Sequence, residues 1–401
     1  MQFSARVLNI TPSQTLASSA KAAELILEGH DVVNLTVGEP DFDAPPDVLN
    51  AINEAMQAGK TRYSAASGVA ELKKAIAGKM QRDHNLEYSP NEIFVGVGAK
   101  HVLYNAFQSI LNDGDEVIIP GPFWVSYPEQ VKLAGGVPVI IDTDESTEFK
   151  LTTAQLDAAI TDKTRAILLN SPSNPTGSVY TQEEITKLAK YLEQKDIWII
   201  SDEIYEKLIY DGAHYSIAQH SEILKEKTVI INGLSKSHAM TGLRIGYACA
   251  TAEMIKRMTD LTAHSTSNVP TPIQYGSVEA FNLGESYATH NRELFKKRRE
   301  SGYKLITEIP YVECVKPGGA FYFFPNFKET AKRTGFDSVD ALCDAILTEA
   351  HVAVVAGSSF SSPDNIRLSY ATSEENFVKA IERIQKFVKS KLEGVQYEDN
   401  N

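Results

Sequence analysis

Thr228-Val229-Ile230-Ile231-Asn232-Gly233-Leu234-Ser235-Lys236-Ser237-His238-Ala239-Met240-Thr241-Gly242-Leu243-Arg244-Ile245-Gly246-Tyr247 is the stretch on which the reading of this chain turns. Its first four residues are β-branched and read as a buried strand. Lys236 lies just past the end of that strand, at the lip of a sheet, where α/β proteins place their ligands. Ser235 puts a hydroxyl beside it, and Arg244 returns across a turn containing glycine. An amine condenses with an aldehyde to a Schiff base, while a hydroxyl and a guanidinium hold phosphate. Together the three suit a phosphorylated aldehyde. Alone, Lys236 would pass for an exposed loop lysine, so the rest of the chain has to decide.

Working outward, residues 93 to 250 alternate short apolar runs with amphipathic stretches. The runs are 93–97, 117–120, 137–141, 166–170, 197–201, 228–231 and 245–250. Those starting at 166, 197 and 228 show almost no polar alternation, as in strands covered on both faces. The stretches between, such as 181–194, read as helices. The pattern predicts an α/β fold with a large, mostly parallel seven-stranded sheet. Only the Lys236 loop joins the last two runs, so one strand there is expected to be antiparallel. The final third differs: apolar runs at 319–324, 352–355 and 366–370 alternate with helical stretches, one of which (373–392) carries Phe377, Ile381, Ile384 and Val388 on one face. This reads as a smaller α+β domain. The expected division is a large domain over 44–290 and a small one built from 1–43 plus 291–401, with the ligand cleft between them.

Composition narrows the function classes. The chain has 401 residues, 43% hydrophobic and 23% charged, with 39 basic against 52 acidic residues and a net charge of −13. That balance disfavours nucleic acid and anionic membranes as partners. The three cysteines, Cys249, Cys314 and Cys343, have no metal-ligand spacing and read as core fillers. The nine histidines include no His-Glu-x-x-His pair, so no metal is expected. The first residues lack the apolar stretch of a signal peptide, and no run approaches the ~20 residues of a membrane span, so the expected location is cytoplasmic.

Several further segments carry chemistry. Asp202 ends the run Trp198-Ile199-Ile200-Ser201-Asp202, with Tyr205 three residues on. A carboxylate there either caps the next turn or serves catalysis. Partly desolvated, it would protonate unless given a cationic partner, such as a protonated pyridine nitrogen. Tyr205 and Asn174, the latter in Asn170-Ser171-Pro172-Ser173-Asn174-Pro175-Thr176-Gly177, could reach a phenolic oxygen on the same ring; the Asn174 segment also reads simply as a turn. Gly96-Val97-Gly98-Ala99-Lys100 opens a helix whose first N–H groups suit phosphate. Trp124 reads either as a stacking platform or as a core residue. Arg367, embedded in an apolar run, must pair internally or grip an anion.

This ordered set, Asn174, Asp202 with Tyr205, Ser235-Lys236 and Arg244, resembles the fold-type-I pyridoxal-5′-phosphate enzymes. Within them it is similar to the class I aminotransferases of the bacterial aspartate aminotransferase type. The resemblance runs from Val37-Gly38-Glu39-Pro40-Asp41-Phe42 to Arg367-Leu368-Ser369-Tyr370-Ala371-Thr372-Ser373. It implies that Lys236 carries the cofactor and moves the proton between Cα and C4′. Asp202 would keep the ring nitrogen protonated as an electron sink. Asn174 and Tyr205 would hold the ring oxygen. Ser235, Arg244 and the N–H groups of Ala99 and Lys100 would form the phosphate cup. Trp124 would stack on the ring, while Arg367 and Gly38 would take the substrate α-carboxylate. Tyr63 would reach the phosphate from a second subunit, making the protein a homodimer with shared sites.

The resemblance also implies that Lys100 pairs with a distal carboxylate and that Ser13 and Thr15 help enclose the substrate. The expected reaction is transfer of the amino group of L-aspartate to 2-oxoglutarate, giving oxaloacetate and L-glutamate, in a ping-pong cycle between pyridoxal and pyridoxamine forms. Ala99 departs from the glycine of many relatives. The alternatives are an aromatic amino acid or prephenate aminotransferase, or a C–S lyase on the same fold.

Overall fold

The computed structural model describes residues 2–398. Twelve strands are present among them. β1 is Val33–Asn34, β2 Ile93–Val97, β3 Glu116–Gly121, β4 Val137–Asp142, β5 Thr164–Asn170 and β6 Trp198–Asp202. β7 is Thr228–Gly233, β8 Ile245–Cys249, β9 Tyr322–Phe323, β10 Val352–Ala353, β11 Val355–Ala356 and β12 Ile366–Ser369.

The seven expected runs form one sheet in the order β2-β8-β7-β6-β5-β3-β4. All pairs from β7 to β4 are parallel. β8 alone runs antiparallel to both of its neighbours. Side chains on successive residues enter opposite layers: Val229 and Ile231 pack in one apolar cluster, Ile230 in another. Both faces of β7 are therefore covered, which is why its sequence shows no alternation. The predicted helix at 181–194 is observed as Gln182–Leu192; Thr181 caps it and Glu184 bonds back to the cap, the reciprocal pattern that starts helices.

The C-terminal third builds a separate core. Phe321, Phe323, Tyr370, Phe377, Ile381 and Ile384 share one buried cluster. The helix Glu374–Glu398 contributes the predicted apolar face. The apolar run at 352–355 divides in two, which its sequence does not suggest: β10 pairs parallel with β1, while β11 pairs antiparallel with β12, and β12 with β9. β1 thus ties the N-terminal segment to this core, and Ser369 N–H donates to the Leu35 carbonyl. On these contacts we propose the division into 44–290 and 1–43 plus 291–401. The helix Ser286–Thr307 runs continuously through the second boundary.

The reversal of β8 positions the site. Because β8 is antiparallel, its amino end, not its carboxyl end, meets the edge where β5, β6 and β7 finish. Arg244 at that end therefore joins residues that follow the parallel strands. The approach is close, and Gly246 makes it possible: an added Cβ would lie 2.2 Å from Ala99 N and 2.4 Å from Gly98 C, both backbone atoms. Gly246→Ala must push the strand and the helix start apart, at a cost of about 1–3 kcal/mol. Gly78→Ala, on an exposed helix face with no atom near the added methyl, should be neutral or slightly stabilising. Urea unfolding of the two variants checks the contrast.

Candidate active site

The ends of these strands open on a cavity of about 660 Å³. Its walls bring together Thr15, Gly38, Ala99, Lys100, Trp124, Asn174, Asp202, Tyr205, Ser235, Lys236, Arg244 and Arg367. Two expected residues lie elsewhere. Ser13 lines a neighbouring cleft of about 900 Å³ and reaches the cavity only through Thr15, 3.0 Å from its hydroxyl. Tyr63 is 90% exposed on the chain's own surface, away from the cavity.

Lys236 follows β7, and its Nζ donates to the Gly38 carbonyl at 2.5 Å. Burial pushes its amine down to about 8. The Glu39 carboxylate opposes that shift, while Arg367 and Arg244 reinforce it. At pH 7 about a tenth of such an amine is neutral, against well under a thousandth for an ordinary lysine.

Asp202 closes β6 and is buried. Tyr127 donates its hydroxyl proton to it at 2.7 Å, and the Ile204 N–H donates at 3.2 Å. The second bond is the capping geometry, so Asp202 both caps its turn and faces the cavity. Burial pushes its carboxyl up to about 6, against the opposing effect of the Tyr127 bond. Asn170 stitches the neighbouring turn to this strand: its Nδ2 donates to the Asp202 carbonyl at 3.0 Å, and its Oδ1 accepts from Asn174 N–H at 3.0 Å. The Tyr205 hydroxyl meets that of Tyr322 at 2.9 Å.

Arg367, on β12, is only 3% exposed. Its Nη1 donates to Asn174 Oδ1 at 3.0 Å and its Nη2 to the Thr36 carbonyl at 2.7 Å. The rings of Tyr322 and Phe360 flank the guanidinium at 4.7 and 5.0 Å. Its buried Nε has no partner, and among the described residues no carboxylate pairs with it. Burial holds the group below its ordinary range. A buried cation without an anion is costly to maintain, so this geometry is suited to receiving one.

Another part of the lining is shaped for a second anion. Gly98 starts the helix Ala99–Ile110 with a positive φ of 79°. An added Cβ there would lie 2.4 Å from Arg244 Nη2. The N–H groups of Ala99 and Lys100 sit in the first turn, where no carbonyl lies four residues back in the helix. Ser235 lines the same cavity. Lys100 Nζ stands 4.8 Å over the Trp124 ring, and burial together with Arg244 lowers its pKa. Trp124 meets Tyr127 edge-on, with centroids 5.3 Å apart.

A family model described as aminotransferase class I and II matches residues 30–384. The chain belongs to this family. It is 55% identical to the aspartate aminotransferase of Bacillus sp. (strain YM-2), covering 96% of this chain and 98% of that protein. To the aspartate aminotransferase of Bacillus subtilis it is 54% identical, over 97% and 99%. Its structure is similar to the solved aspartate aminotransferase of Rhizobium meliloti, with a TM-score of 0.93, 40% identity and coverage of 97% and 99%. The fold-type-I expectation is thereby borne out.

In this aminotransferase, Tyr127 and Tyr322 are cavity residues that sequence reasoning did not single out. Tyr127 stands three residues after Trp124 at the start of the helix Ser126–Leu133, and that spacing was a usable signal. Tyr322 sits in an apolar run and looks like any core aromatic.

The Asp202 shift has a consequence for stability. Its folded pKa of about 6 lies above the unfolded value of about 3.9. The contribution of Asp202 to stability is therefore greatest below pH ~4, falls as pH rises toward 6, and stays reduced above it, by at most about 3 kcal/mol. Asp202→Asn should make the ligand-free protein about 1–3 kcal/mol more stable at pH 8 and leave it unchanged near pH 4. Thermal unfolding at both pH values tests this, and equal stability at pH 8 would contradict it.

Proposed function

We propose that this aminotransferase moves the amino group of L-aspartate to 2-oxoglutarate with pyridoxal 5′-phosphate as cofactor. The observation that carries the reading is the meeting, in one cavity, of the desolvated Lys236 amine and the buried Arg367 guanidinium with its free Nε. The cavity suits the cofactor on independent grounds. The Gly98–Arg244 cradle, which a Cβ would fill, fits a phosphate. Asp202, raised by burial, fits beside a cation such as a protonated ring nitrogen, which would bring it back to its charged form. When bound, the cofactor supplies an electron sink for the carbanion at the substrate Cα.

The chain's own residues do the rest. Ser235, Arg244 and the N–H groups of Ala99 and Lys100 hold the phosphate. Tyr63, too exposed to serve its own cavity, reaches the phosphate site of a second copy, so the enzyme is a homodimer with shared sites. Trp124 would pack against the ring, Asn174 and Tyr205 would hold its oxygen, and Asp202 would keep a proton on its nitrogen. Arg367 and Gly38 fix the α-carboxylate, which aims the Cα–H bond at Lys236. Lys236, whose amine burial lowers in the ligand-free site, takes that proton and returns it. Thr15, with Ser13 behind it, closes one side. No described helix is long and apolar enough to cross a membrane, and we place the enzyme in the cytoplasm.

Lys100 selects the substrate. Its ammonium lines the cavity and has no carboxylate partner among the described residues. A four-carbon dicarboxylate held by Arg367 at one end would meet it at the other.

Borohydride reduction of the cofactor-loaded enzyme, followed by peptide mapping, should place a pyridoxyl group on Lys236. Lys236→Ala should lose at least roughly 10²–10⁴-fold in turnover. A pyridoxyl group found on another lysine, or full activity of the variant, would overturn the assignment. Lys100→Ala should lower kcat/KM for aspartate about tenfold or more, the value of one charge-assisted contact, and leave phenylalanine nearly unaffected. Equal losses for both substrates would reject a selective role.

A further inference from the structure

The turn after β6 has two sides. Asp202 and Tyr205 face the cavity, while Glu203 and Glu206 point away from it into the protein, only 1% and 8% exposed. Neither carboxylate has a part in the chemistry described above, yet both are fully engaged. Glu203 accepts from Ser201 Oγ at 2.8 Å, from Ser216 Oγ at 2.6 Å and from His214 Nε2 at 2.9 Å. Glu206 pairs with Lys79 Nζ at 2.5 Å and with His84 Nε2 at 2.6 Å. Lys79 and His84 belong to the helix Ala70–His84, whose Asp83 also binds Lys207 at 2.7 Å.

Carboxylates and imidazoles at this spacing could hold a metal ion. Here the place of a cation is already taken: the Lys79 ammonium contacts Glu206 and lies 2.8 Å from His84 Nε2. The cluster is an internal ion network. Such networks are poor sources of stability, because well-packed apolar residues in their place are often as stable or more so. What they supply is geometry, since each charge tolerates only a narrow set of partner positions. The turn's own backbone bonds are all local or to the neighbouring strand: Ile204 N–H donates to Asp202 Oδ1 and Leu208 N–H to the Tyr205 carbonyl, so none ties it to the helix behind. Glu203 N–H donates to the Ile231 carbonyl at 2.9 Å, and Glu206 N–H to the Glu203 carbonyl at 2.9 Å.

We infer that Glu203 and Glu206 are positioning residues: gripped from behind, they fix the aim of Asp202 and Tyr205 into the cavity. This rests on the proposed cofactor reading for what is being aimed, but the order of the turn can be measured without the cofactor.

The test compares wild type, Glu206→Gln and the double variant Lys79→Met/Glu206→Met. Three quantities are measured: amide hydrogen exchange at residues 203–207 in cofactor-free protein, the thermal midpoint, and the dissociation constant for pyridoxal phosphate. In Glu206→Gln, exchange at 203–207 should rise about tenfold or more, with β5 unchanged, and cofactor affinity should fall by roughly tenfold, as when the support of a binding residue is removed. The double variant leaves no buried charge unpaired in this pair, so its midpoint should recover toward wild type. Fast exchange and weak cofactor binding should nevertheless persist. Unchanged exchange in Glu206→Gln, or recovery of exchange and affinity together with the midpoint, would overturn the inference. Should Glu206→Gln fail to fold, the double variant alone decides. Wild type that binds no pyridoxal phosphate would instead remove the cofactor reading and leave the exchange result to stand by itself.

Discussion

An excess of positive charge around one cavity governs this molecule. Lys236, Arg367, Arg244 and Lys100 converge on one cavity whose lining offers only Asp202 and Glu39 as carboxylates. The chain as a whole carries −13, so the site runs against the charge of the protein around it. In a low-dielectric cavity such an imbalance acts over several ångströms. Anions relieve it, and the lining offers separate places for them: the helix start with Arg244, the Arg367 guanidinium, and the Lys100 ammonium.

The rest of the fold keeps these charges where they are. Parallel strands deliver Asp202 and Lys236 to one edge, and the single reversed strand delivers Arg244 to the same edge from the opposite direction. Gly246 and Gly98 allow backbone and guanidinium to approach within distances no larger residue would permit. Arg367 and Gly38 come from the other core, where β1 lies against β10 and β12 against β11. The cavity draws its lining from both cores, and neither alone supplies both Arg367 and Lys236.

Desolvation sets the protonation of this site in opposite senses. It lowers the Lys236 amine and raises the Asp202 carboxyl, drawing both toward neutrality at moderate pH. A neutral amine can take a proton. A carboxyl that resists ionisation on its own is a good partner for a cation placed beside it. The same burial that makes the ligand-free site strained thus prepares it for a charged ligand.

Much of this was legible along the chain. β-branched runs without alternation mark strands covered on both faces, and their spacing by helical segments requires parallel crossovers. The seven-stranded sheet follows from those two regularities; Asp202 and Arg367 stand out as charges that end or interrupt apolar runs, while Lys236, Asn174 and Arg244 were marked by their order along the chain and its resemblance to the family. What the sequence could not decide were relations between residues distant along the chain that carry no local signal. The hydroxyls of Tyr127 and Tyr322 are indistinguishable in sequence from those of any buried tyrosine until folding aims one at Asp202 and the other at Tyr205. The splitting of 352–355 between two sheets depends on which edges lie free beside it, and local propensity does not encode that. The ion network of Lys79, His84 and Glu206 joins a helix to a turn more than a hundred residues away, so only the tertiary structure could turn three ordinary polar residues into one buried unit.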